Sequence, residues 1–124
     1  MVIRCSILHR VMTITLTPRN LLRNAELYAN EPALSVKAGI ASDGSWEWDT
    51  KTWKQFSDEV VSVSKSLMSM GFEKGDRMSI YAYNRPEWYS CYGATQMTNG
   101  VGVGVYHPCS PEEVEWVIGD SGSK

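Results

Sequence analysis

Met78-Ser79-Ile80-Tyr81-Ala82-Tyr83 and Val101-Gly102-Val103-Gly104-Val105-Tyr106 are two short runs rich in apolar residues, and the segment joining them decides how they pair. Asn84-Arg85-Pro86-Glu87 opens a helix, Trp88, Cys91, Tyr92 and Thr95 recur on one of its faces, and Asn99-Gly100 closes it. A strand, a helical crossover and a second strand predict parallel neighbours, because a parallel pair cannot be joined by a tight turn. The second run is apolar throughout, as burial on both faces requires, and its alternating glycines let a helix come close.

Working upstream, Thr52-Trp53-Lys54-Gln55 has the form of a capping box. Phe56, Val60, Val63, Leu67 and Met70 then repeat at helical spacing as far as Gly71, and Gly75-Asp76-Arg77 turns the chain into the first strand. Downstream, Ser110-Pro111-Glu112-Glu113 is a second capping box, leading Val114, Val117 and Ile118 along a short helix to Gly119. From Thr52 onward the elements alternate helix, strand, helix, strand, helix, which implies an α/β fold with a mostly parallel sheet and flanking helices. Residues 120–124 form a turn of the kind that precedes a strand, so the sheet is expected to continue past Lys124.

Ahead of Thr52, Thr17-Pro18 starts a helix carrying Leu21, Ala25 and Tyr28 on one face to about Asn30. Ala33-Leu34-Ser35-Val36-Lys37 and residues 44–49 flank a turn at Ala41-Ser42-Asp43-Gly44, an N-terminal β-hairpin in which Trp46 and Trp48 are expected on a half-buried face. Residues 1–16 carry Arg4, His9 and Arg10 with no acidic residue. A transit peptide, a short leader or an added strand would each fit, and mitochondrial import rests on those few residues alone.

The 124 residues suffice for one domain, and 43% hydrophobic with 21% charged residues is ordinary globular usage. A net charge of -2 with dispersed Lys and Arg gives no electrostatic footprint for nucleic acid. Cys5, Cys91 and Cys109 are odd in number and widely spaced, which suits reduced thiols in the cytoplasm or on the surface of intracellular membranes. Apolar runs fall far short of the ~20 residues a spanning helix needs, so any membrane contact would be peripheral.

Chemistry-bearing patterns are few. Gly100, Gly102 and Gly104 follow a helix instead of a strand and lack the G-x-G-x-x-G spacing, so they read as packing glycines. Gly122-Ser123-Lys124 reverses the order a phosphate loop requires and reads as a solvated turn. His107 and Cys109 follow a strand, where α/β proteins meet ligands, and Cys5 with His9 has a ligand-like spacing, yet nothing makes these four converge on a metal. Glu112 and Glu113 complement a helix dipole, and the five tryptophans are mostly accounted for by core and hairpin packing. The sequence nominates no catalytic, cofactor-binding or metal-ligating residue.

Thr52-Trp53-Lys54-Gln55-Phe56, Gly71-Phe72-Glu73-Lys74-Gly75-Asp76-Arg77, Asn84-Arg85-Pro86-Glu87-Trp88, Ser110-Pro111-Glu112-Glu113 and the closing Ile118-Gly119-Asp120-Ser121-Gly122-Ser123-Lys124 together resemble the start of the AMP-forming synthetases. Gly104-Val105-Tyr106 with Pro108-Cys109-Ser110 is similar to the long-chain acyl-CoA synthetases, especially the bubblegum-type branch. The resemblance implies that residues 17–124 are an incomplete N-terminal part of an acyl-adenylate-forming ligase, with residues 1–16 unmatched. It further implies a fatty acid substrate, ATP, CoA and Mg2+ in the whole enzyme, with phosphate-binding and catalytic motifs beyond Lys124. The fragment is therefore expected to bind none of these, to be inactive alone and to self-associate. A stand-alone α/β interaction module from a truncated ligase gene is the alternative.

Overall fold

The computed structural model describes Arg4–Cys5 and residues 17–124. In chain order the elements are β1 (Arg4–Cys5), α1 (Thr17–Leu27), β2 (Pro32–Ile40), β3 (Trp46–Thr52), α2 (Trp53–Ser69), β4 (Arg77–Tyr81), α3 (Pro86–Met97), β5 (Val101–Val105) and α4 (Pro111–Ser121). They fall into two compact units, one of Met1–Glu59 with Asn84–Pro86, the other of Val60–Tyr83 with Glu87–Lys124.

In the first unit, β2 and β3 pair antiparallel around the turn at Ala41 to Ser45, where the Ala41 amide donates to the Ser45 carbonyl and Gly44 takes φ 82°. So short a connection can only make an antiparallel pair. β1 adds a third strand, Arg4 opposite Ser35 and Cys5 opposite Leu34, so the stretch read as leader or added strand contributes a strand at these two residues. Cys5 with His9, and the rest of residues 1–16, otherwise lie outside the described residues. Leu21 and Ala25 from α1 and Ala33 and Leu34 from β2 are the buried apolar residues here. The capping box opening α2 is formed: the Thr52 amide donates to Gln55 Oε1 at 2.9 Å, and the Gln55 amide donates to Thr52 Oγ1 at 3.3 Å. Two further amides at that helix start, on Trp53 and Lys54, donate to the carbonyls of Glu31 and Ala29.

The expected mostly parallel sheet is corrected by this arrangement. The hairpin strands belong to a three-stranded antiparallel sheet, and among the described residues parallel pairing is confined to β4 and β5. The Trp pair also departs from expectation, since Trp46 and Trp48 are 51% and 42% exposed.

In the second unit, Arg77 pairs with Val101, Ser79 with Val103 and Tyr81 with Val105, the parallel neighbours that the crossover predicted. The glycines of β5, and Gly100 just before it, seat aromatic rings. A Cβ at Gly102 would stand 2.6 Å from Tyr92 Cδ2, one at Gly100 would stand 2.4 Å from Phe72 Cε1, and one at Gly104 would meet Trp88 at 3.5 Å. Tyr92 and Trp88 stack on each other at 5.2 Å. On its other side α3 meets α2 through small residues: Val60 is fully buried against Gly93, and Ser64, Ser90 and Ala94 are buried, Ser64 Oγ reaching the Ala94 carbonyl at 3.4 Å, whereas the buried Thr95 lies toward β4 with its Oγ1 3.7 Å from Met78 Sδ. Ser64 and Thr95 turn their hydroxyls back to the carbonyls of Val60 and Cys91, one turn earlier.

Two helix ends differ in detail from the sequence reading. Asn99, at φ 57°, supplies the left-handed residue after α3, and α4 runs through Gly119 to stop at Gly122, whose φ is 60°. Gly122-Ser123-Lys124 is more than a solvated turn: Ser123 Oγ meets Ser79 Oγ at 2.8 Å, and the Lys124 amide donates to the Arg77 carbonyl at 2.9 Å.

Candidate functional site

Parallel strands of an α/β unit place the loops at their carboxyl ends side by side, and these loops are where such folds meet ligands. Here those ends belong to β4 and β5. The Tyr81 hydroxyl donates to the His107 carbonyl at 2.9 Å, fastening the loop after β5 to the end of β4. The Tyr83 ring lies 4.0 Å from the His107 ring, and Tyr106 stacks on His107 at 5.6 Å with only 7° between the planes. Tyr83 and Tyr106 are 66% and 74% exposed, so the cluster offers ring faces to solvent. It is suited to stacking a planar or apolar group.

The adjoining N-terminus of α4 is already occupied. The Ser110 amide donates to Glu113 Oε2 at 2.7 Å, and the Glu113 amide donates to Ser110 Oγ at 3.3 Å. Glu113 is thus a capping residue. The Glu112 carboxyl is held below the usual carboxylate range by its own backbone amide and then by the Ser110 hydroxyl. With these donors and acceptors satisfied within the box, Glu112 and Glu113 serve the helix start.

His107 sits in the aromatic cluster, and Cys109 closes its loop by a backbone bond from its amide to the Tyr106 carbonyl. Cys91 and Cys109 are partly buried. Among the described residues no group of three or more His, Cys, Asp or Glu could hold a metal ion. Sequence reasoning found the loop after β5 but not Tyr81 or Tyr83, which come from the other strand; the signal was the register, since equal strand ends bring residues after Tyr81 beside those after Val105.

An α/β unit with an added antiparallel hairpin is also what solved structures of similar fold contain. The inhibitor-bound N-terminal domain of FACL13 from Mycobacterium tuberculosis superposes with a TM-score of 0.72 at 21% identity, over 90% of this chain and 26% of that one. The anthranilate CoA ligase AuaEII, in complex with anthranoyl-AMP, gives 0.71 at 20% identity, over 91% and 20%. The fold is therefore that of the N-terminal part of adenylate-forming ligases. A model of the AMP-binding enzyme family matches residues 21–124, and the chain belongs to that family. Among curated relatives, the long-chain-fatty-acid CoA ligases ACSBG2 of Mus musculus and heimdall of Drosophila melanogaster are each 30% identical over 82% of this chain. The chain spans 14% of the length of either relative.

Proposed function

We propose that this chain is the amino-terminal piece of a long-chain fatty acid CoA ligase. The observation that carries the reading is the family match across residues 21–124, joined to relatives that are long-chain-fatty-acid CoA ligases. In the whole enzyme so proposed, a fatty acid carboxylate attacks ATP, an acyl–phosphate bond forms and pyrophosphate leaves. The thiol of CoA then attacks the acyl carbon and AMP departs. The acid and the triphosphate are both anionic, so the first step needs clustered donors and cations around the developing charge.

The resemblance puts that cluster beyond Lys124. In this reading the chain's own contribution is scaffolding, together with the aromatic cluster at the carboxyl ends of β4 and β5. The proposed location is cytoplasmic or peripheral on intracellular membranes; among the described residues no helix is long and apolar enough to cross one.

Pyrophosphate release with ATP and a long-chain fatty acid tests the reading. The 124-residue chain should match its heat-killed control, whereas a chain extended along the downstream reading frame should release pyrophosphate when a fatty acid is added. An extended chain without such activity would overturn the proposal.

The alternative, an interaction module, draws on one observation: Val101, Tyr106 and Trp116 are 49%, 74% and 68% exposed, which suits association with itself or another protein. Sedimentation of the purified chain decides it, a concentration-independent monomer counting against self-association.

A further inference from the structure

The hairpin of β2 and β3 has two chemically different faces. Ser35 Oγ and Thr50 Oγ1 are 2.9 Å apart, which puts both side chains on one face. Alternation along β3 adds Trp48 and Trp46 to that face, and the pairings Lys37 with Trp48 and Ile40 with Trp46 bring Lys37 and Ile40. The Lys37 ammonium lies 3.6 Å from the centre of the Trp46 ring. Glu47 and Asp49 fall on the opposite face by the same alternation. Ile40 is 65% exposed, and residues 46–50 are exposed throughout, so this end of the hairpin stands in solvent.

Among the described side chains of β2 and β3, the face thus carries one cation, no carboxylate and two large rings. Indole and ammonium groups donate hydrogen bonds and accept none. Their complement is a surface of acceptors laid over an apolar layer, which is the chemistry of a phospholipid interface: phosphate and ester oxygens above, acyl chains below.

We propose that the Trp46–Trp48 face of this hairpin docks the protein on a phospholipid surface. This deepens the reading of a peripheral enzyme of lipid metabolism and rests on it. Lys37 reaches the headgroup phosphates while the two indoles settle at the level of the ester groups.

Co-sedimentation of the 124-residue chain with pure phosphatidylcholine vesicles, corrected for a vesicle-free control, tests this. Replacing both residues, Trp46→Ser with Trp48→Ser, should lower partitioning about tenfold or more, the effect expected from ~60 Å² of apolar surface left in water. Trp116→Ser removes a still more exposed tryptophan from α4 and should change partitioning by less than about twofold. Circular dichroism should show both variants folded like the parent. Three results would each overturn the proposal: no vesicle binding by the parent, a double variant within about twofold of it, or an equal loss in Trp116→Ser. The measurement contains no ATP, CoA or fatty acid, so a failed ligase assay and a failed docking experiment are told apart.

Discussion

Replacing Gly102 by alanine adds one methyl group to β5 at the place where Tyr92 rests. The new Cβ would stand 2.6 Å from Tyr92 Cδ2 and 2.8 Å from Cε2. Carbon atoms pack at about 3.5–4.0 Å, so ring or strand must give by about 1 Å. The ring is not free to do so, because it stacks on Trp88 with 14° between the planes. Overpacking of this kind costs about 1–3 kcal/mol, while replacing a strand glycine returns about 0.5–1 kcal/mol of backbone entropy. The net expectation is a loss of about 1–2 kcal/mol, which lowers the melting temperature of a chain this size by ~3–10 °C. Gly104→Ala is the matched control. Its Cβ would meet Trp88 at an ordinary 3.5 Å, so it should melt within ~2 °C of the parent or slightly above it. Melts followed by circular dichroism compare the two variants directly. A Gly102→Ala chain as stable as Gly104→Ala would refute the idea that β5 is a seat for rings.

Two other perturbations probe the turns. Asn99 holds φ 57° after α3, and its carbonyl accepts the Gly75 amide at 3.0 Å; Asn99→Ala should therefore destabilise by about 1 kcal/mol and Asn99→Gly should not, as urea melts would show. Asp76 accepts from Lys124 and from the Glu73 amide, and these bonds, Lys124 first, hold its carboxyl below the ordinary 3.8. A depressed carboxyl contributes stability that is complete above its unfolded value and is lost as pH falls through the folded one. Asp76→Asn should thus lose stability at neutral pH but show a shallower decline below about pH 4, measured as melting temperature against pH.

The parallel pair was legible because three local signals agreed: apolar runs of strand length, a helical repeat between them and glycine or asparagine at each junction. The hairpin turn was equally local. What the hairpin did not disclose was which sheet it would join, since its pairing partner β1 comes from a stretch whose weak alternation fitted a leader as well as an added strand. Trp46 and Trp48 show the limit of alternation, which identifies a strand and its two faces but not which face meets solvent. On α2 the apolar stripe located Val60 and Leu67, both buried, but also selected Met70, which is 73% exposed, and passed over Ser57 and Ser64. Small hydroxyls can be buried because they bond to their own helix, and the letter Ser does not reveal that. Gly119 and Gly122 were indistinguishable as helix stops until the backbone angle at Gly122 was known. Of the candidate site, only the half following β5 could be read from the sequence. The tyrosines following β4 join it through the strand register, a relation between distant residues that no single window contains.

The seam between α2 and α3 has a further consequence. Ser64 Oγ bonds to the Val60 carbonyl of its own helix at 2.7 Å and reaches the Ala94 carbonyl across the seam at 3.4 Å, so a long hydrogen bond supplements a contact made mostly of contour. Recognition there is a matter of fit: Val60 faces a place where Gly93 has no side chain, and the surrounding residues are all small. Such a contact has little to lose from a change of pH or salt and much to lose from a change of volume. Substitutions that survive in it should trade one small side chain for another, and the history of this part of the chain should be written more in sizes than in charges.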